Sequence, residues 1–135
     1  FSANTFAQGK EEEDPKLLGV SIGMTQAEVA SIVNSPHTSG ADLNVWIYDS
    51  LSASVEFDSI GTVVEIMSEG PTTFIEFNGK TIAFNSNIED AIKILGKPDN
   101  INDTGMVVEY RFEKYGILLL TFNGDSAISL LALEY

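Results

Sequence analysis

Apolar positions along this chain follow two rhythms, one helical and one alternating. Val29, Ile32 and Val33 recur at a spacing of three and four, which makes one apolar stripe on a short helix. Thr25 precedes the stripe and Glu28 follows three positions on, the spacing of a reciprocal capping box. Met24 before the cap and Val29 after it suit a hydrophobic staple. Asn34 tolerates the left-handed conformation that ends helices, and Pro36 cannot continue one. A helix is therefore expected over residues 25–34.

The same devices return at one common offset. Asn87 takes the place of Thr25, Asp90 of Glu28, Gly96 of Asn34 and Pro98 of Pro36, with Ala91, Ile92 and Leu95 as the apolar stripe. Polar loops are expected after each proline, over 37–44 and 99–105. Alternating or continuous apolar runs then predict three strands in each half: 45–48, 52–57 and 63–67, and 107–110, 116–122 and 127–133. Asn78-Gly79 between two strand-like runs is a strong hairpin signal, and Gly70-Pro71 marks the boundary between halves. The expected fold is α+β: two tandem repeats, about 16–70 and 71–135, each a helix plus antiparallel strands, forming a sheet covered on one face by helices.

Gly23-Met24-Thr25 opening a helix through Val29, a proline-closed loop, an aromatic strand and the hairpin residues Phe57, Asp58, Gly61, Val63 and Val64 carry a family resemblance. This pattern resembles the β-lactamase inhibitory protein family, which holds such a unit twice, and the small outer-membrane assembly lipoproteins of the BamE type, which hold it once. The match covers residues 19–67 well and 85–133 by pattern alone. The resemblance implies protein binding without chemistry. The loop disulfides of the first group and the anchoring cysteine of the second have no counterpart, because the chain contains no cysteine.

Charge narrows the classes of partner. Seven Lys and Arg stand against 20 Asp and Glu, a formal charge of −13, which disfavours nucleic acid and anionic lipid. No stretch approaches the roughly 18 apolar residues of a membrane-spanning helix. The small, uncharged start Phe1–Ala7 and the acidic spacer through Pro15 read as a tether or the remnant of a secretory signal over residues 1–15, ahead of one globular domain over 16–135. A secreted or envelope location is expected on that reading.

Candidate chemistry is sparse. His37 is the one histidine, in a polar loop without a nucleophile elbow anywhere, and reads as a solvated side chain. Glu11-Glu12-Glu13-Asp14 reads as solvated, and Asp99–Asp103 as a turn-rich loop lacking the ligand spacing of a calcium-binding EF-hand. No catalytic, cofactor or metal residue is assigned, and no cofactor is expected. Carboxylate pairs able to support hydrolysis are recognisable only in three dimensions.

The remaining candidates are on strands. Val45, Ile47, Glu56, Glu65, Glu109 and Arg111 fall on the face expected to point away from the helices. Trp46 and Tyr48 share the other face; they are interface anchors if it is exposed, and core residues if it packs like their counterparts Val108 and Tyr110. The function expected is a non-catalytic extracytoplasmic module that binds a protein partner through this sheet face. A carboxylate-dependent hydrolase and a purely structural accessory domain of an envelope assembly are the alternatives.

Overall fold

A computed structural model describes residues 13–40 and 44–135. Its elements begin with β1 (Lys16–Leu17), α1 (Gln26–Ile32), β2 (Thr38–Ser39), β3 (Val45–Tyr48), β4 (Ala53–Phe57) and β5 (Val63–Ser68). There follow β6 (Phe74–Phe77), β7 (Lys80–Ala83), α2 (Ile88–Leu95) and β8 (Asn100–Asp103). The chain closes with β9 (Val107–Phe112), β10 (Ile117–Phe122) and β11 (Ile128–Glu134).

Local signals set the helix starts. Thr25 Oγ1 accepts from the Glu28 N–H at 3.2 Å, and the Thr25 N–H donates to Glu28 Oε1 at 2.9 Å, so the capping box is closed both ways. Asn87 caps α2 with its side chain accepting from the Glu89 N–H at 2.8 Å and its carbonyl from the Asp90 N–H at 3.1 Å, so the cap is one-way and not a reciprocal box. The helix ends differ. Gly96 takes φ +88° after α2, whereas α1 stops at Val33 in extended conformation and not at a left-handed Asn34. Val33 is buried, so the turn ends where its side chain reaches the core.

Eight strands form one antiparallel sheet in the order β2-β3-β4-β5-β11-β10-β9-β8, so that β2–β5 meet β8–β11 along the β5–β11 ladder. A second antiparallel sheet, β1-β6-β7, is closed by the Asn78-Gly79 turn, whose two residues take φ +51° and +76° as a type I′ hairpin requires. Two regions read as polar loops contain strands: β2 pairs with β3, and β8 pairs with β9 through all four of its residues. Every β8 side chain is exposed, so the strand is held by its ladder and offers no apolar period to read.

The fold class expected from the sequence is therefore corrected. The protein is mainly β, with two antiparallel sheets and two short helices among the described residues, and is not a pair of helix-covered α+β repeats. Widths explain why. An eight-stranded sheet spans about 34 Å between its outer strands. Helices of seven and eight residues are only about 10–12 Å long and 10 Å wide, and two of them leave much of that span open. The small sheet closes it: Leu17, Ile75, Phe77 and Ile82 join Val29, Ala91 and Leu95 in one core with the inner face of the large sheet.

That inner face is continuous. Trp46, Val55, Ile66, Leu133, Ile117 and Phe112 lie in one cross-strand row, and Val55, Ile66 and Leu133 have no exposed surface. Tyr48 lies in the next row with Ala53, Ser68, Leu131, Leu119 and Tyr110. Most of the stretch read as a tether, residues 1–12, falls outside the described residues. Past it, the Glu13 N–H donates to Asn78 Oδ1 and the Pro15 carbonyl accepts from Ser21 Oγ.

Candidate functional site

Register places all six residues singled out for the outer face on that face. Val45, Glu56, Glu65 and Glu134 form one cross-strand row over β3, β4, β5 and β11. The next row runs Ile47, Ser54, Met67, Ala132, Leu118, Arg111 and Asn100, from β3 to β8. A third holds Leu130, Leu120, Glu109 and Asn102. Acidic groups thus line one border, and an apolar band of Ile47, Met67, Ala132, Leu118, Leu120 and Leu130 crosses the middle. Ala132 and Leu118 are buried at its centre, while Ile47, Met67, Leu120 and Leu130 keep part of their surface in solvent. Beside β3 to β5 the band opens into a groove of about 490 Å³ that reaches the strand ends, lined by Val45, Ile47, Ser54, Met67 and Leu130 and, at the ends, by Tyr48, Asp49, Ser52, Ala53, Ser68 and Glu69.

Arg111 organises the charged groups at one end. Its Nη1 donates to Glu134 Oε1 at 2.6 Å, and its Nη2 lies 4.0 Å from Glu109 Oε1. Arg111 and Glu134 are two strands apart. Gly116, whose carbonyl accepts the Glu134 N–H at 2.8 Å, leaves the path between them without a side chain. A Cβ on Gly116 would come within 2.5 Å of the Glu134 carbonyl oxygen, and its φ of +67° already favours glycine. Glu65 stands between Glu56 and Glu134 in the row. Burial, then repulsion from Glu134 and Glu56, pushes the Glu65 carboxyl above the usual range.

Trp46 and Tyr48 belong to the inner face and are not part of this surface. Tyr48 is buried, and Trp46 packs edge-on against Phe57 at 4.8 Å between ring centroids. His37, read as solvated, is exposed on one side and stacks on Trp46 on the other, with centroids 4.1 Å apart and planes 16° from parallel. The carboxylates of the Asp99–Asp103 segment are engaged within the chain: Asp99 Oδ2 accepts from the Glu113 N–H at 2.7 Å, and Asp103 Oδ1 from the Gly105 N–H at 2.9 Å and from Asn123 Nδ2 at 3.0 Å. Among the described residues no group of three His, Cys, Asp or Glu is placed to hold a metal. Among the same described residues no helix is long and apolar enough to cross a membrane.

A family described as a domain of unknown function (DUF7738) matches residues 65–134, just over half of the chain. The chain belongs to the DUF7738 family. The matched DUF7738 segment begins at Glu65 on β5 and runs to Glu134 at the end of β11, so it contains both the central ladder and the Arg111–Glu134 pair. Comparison with curated proteins and with solved structures returns no match. The resemblance to the β-lactamase inhibitory proteins and BamE-type lipoproteins is corrected accordingly. The family shown is DUF7738, and the architecture is a two-sheet, mainly β one. The shared Gly-Met-Thr start and hairpin residues are devices for capping a helix and turning a strand, which any fold can use.

The sequence did not single out the apolar outer-face members Met67, Leu118, Leu120, Leu130 and Ala132, the acidic Glu134, or the polar Ser54, Asn100 and Asn102. For the apolar members the signal hid in continuous apolar runs. Ile117–Leu120 and Leu130–Leu133 read as strands buried on both sides, so no alternation separates their outer positions from their inner ones. The register shift between Leu120 and Thr121 further displaces the period.

Proposed function

We propose that this chain is a non-catalytic module that binds another protein across the outer face of its eight-stranded sheet. The observation that supports it most is the apolar band itself: Ile47, Met67, Leu120 and Leu130 stay partly exposed at the middle of a sheet, not singly on loops. Contiguous apolar surface bordered by charge is the usual mark of an interaction site. Side chains on paired strands are held by their cross-strand neighbours, so docking there orders little that is not already ordered.

The experiment is a paired substitution, Ile47→Lys with Glu65→Lys, in which two outward positions change sign or polarity while the inner face is untouched. Thermal unfolding is expected to remain cooperative. Proteins that wild-type chain retains from its source cells are expected to be lost by the folded variant. An unchanged set on a folded variant contradicts the proposal.

One observation favours a second reading. Glu56, Glu65 and Glu134 are neighbouring carboxylates with one raised, the ingredients of an acid–base pair for hydrolysis. Their arrangement speaks for the binding role, because all three project from one row of an open face, whereas glycoside-cleaving carboxylates flank the bond between them.

A further inference from the structure

We propose that the occupant of the outer face is a cationic segment of another protein, with a lysine or arginine laid along the Glu56–Glu65–Glu134 row and adjoining aliphatic side chains on Ile47, Met67 and Leu130. This rests on the protein-binding reading and names its partner class.

Two independent features of the face support it. The first is the imbalance of charge. Arg111 is the one Lys or Arg in the eight strands of the large sheet, and it is engaged with Glu134 and Glu109. Glu56 and Glu65 are paired with no cation among the described residues, although they lie directly opposite each other on adjacent strands. Like charges opposite each other in a ladder destabilise it, so an arriving cation relieves a penalty already present. The Glu65 carboxyl is raised first by partial burial and then by Glu134 and Glu56, and a cation set beside it would offset the second cause.

The second feature is the apolar groove next to that row. A free polyamine or metal ion would use the carboxylates and leave Ile47, Met67 and Leu130 uncovered. A polypeptide can use both, since side chains at every second position of an extended strand face the same way and can be cationic at one such position and aliphatic at the next. A second copy of this chain fits worse. Each copy carries a net charge of −13, and face-to-face pairing sets two carboxylate borders and two such charges against each other.

The test uses the whole chain and three labelled synthetic peptides about twelve residues long, roughly 40 Å when extended and so able to cross the sheet. One repeats Leu-Ser-Lys-Ser, so that Leu and Lys share one side of the extended chain, one alternates Leu with Ser and one Ser with Lys; binding is read by fluorescence anisotropy. Three proteins are compared: wild type, Glu56→Gln/Glu65→Gln, and Glu76→Gln/Glu89→Gln, the last pair on the small sheet and on α2. The last makes the same change in net charge away from the face. Circular dichroism verifies that each is folded.

The Leu/Lys peptide is expected to bind wild type most tightly of the three. The outer-face variant is expected to weaken it by about tenfold or more, and the control variant by less than about twofold. Equal weakening by both variants means that only the overall field attracts the peptide, which overturns the proposal. So does failure of the Leu/Lys peptide to bind at all. Equal binding of the Leu/Ser peptide also overturns the cationic partner but leaves the protein-binding face standing. Sedimentation that detects a dimer abolished by Ile47→Lys would make the occupant a second copy instead.

Discussion

Tyr48 buries a hydroxyl for which the described residues supply no hydrogen-bond partner, and burial pushes its phenol upward from the ordinary range. An unmet buried hydroxyl costs about 1–3 kcal/mol, so Tyr48→Phe is expected to leave stability unchanged or raise it by up to about 1 kcal/mol in urea denaturation. A loss would show that the hydroxyl is satisfied. Glu65 makes a pH-dependent case. Its carboxyl is raised by burial first and by Glu134 and Glu56 after that, so the folded chain holds this proton more tightly than the unfolded chain does. The stability it contributes is complete below the unfolded value of about 4.3, and is lost as pH rises through the raised value. Glu65→Gln is expected to be more stable than wild type at pH 7 and indistinguishable from it in acid. Denaturation midpoints at both pH values check the sign. Asp58 runs the other way. Bonds from the Thr62 hydroxyl and N–H lower its carboxyl, so its contribution is present above the ordinary range and fades as pH falls through the lowered value.

Elements in this protein are set by short devices whose individual effects are measurable. The capping box at Thr25 satisfies two N–H groups at the start of a seven-residue helix, and Thr25→Ala is expected to cost about 1 kcal/mol. An unchanged urea midpoint would contradict it. Gly116 turns β9 into β10 and sits against the Glu134 backbone, so Gly116→Ala forces both a left-handed alanine and a clash. A loss of about 2–4 kcal/mol is expected, together with a weakened Arg111–Glu134 pair. These devices are also what the sequence exposes best. Thr25, Asn87, Gly96 and Asn78-Gly79 each announce a cap, stop or turn by residue type alone. The strands β2 and β8 do not. Thr38-Ser39 and Asn100–Asp103 have neither apolar period nor strong strand preference, and they are strands because the edges of β3 and β9 pair with them.

At the scale of the whole molecule, what covers a sheet depends on its final width, which local patterns do not state. Two helical stripes and several apolar runs fit a helix-covered sheet until eight strands join into one layer too wide for two short helices. The hairpin β6–β7 was visible as a hairpin, but nothing local says that it pairs with Lys16-Leu17 to build a second sheet over the core. The outer face was legible in part for a similar reason. Glu56, Glu65, Glu109 and Arg111 are polar positions that mark the outward parity of their strands, and Val45 and Ile47 follow by matching β3 to Val107 and Glu109, whereas Leu118, Leu130 and Ala132 lie in apolar runs with no polar marker. This face, and no other, is proposed to meet the partner. The most direct measurement is site-specific photo-crosslinking in the source cells, with the reactive side chain placed at Ile47 in one protein and at Lys93, on the exposed side of α2, in another. A discrete protein adduct is expected from Ile47, abolished by Glu65→Lys, and none from Lys93. Adducts from Lys93 alone, or from both positions equally, would contradict it.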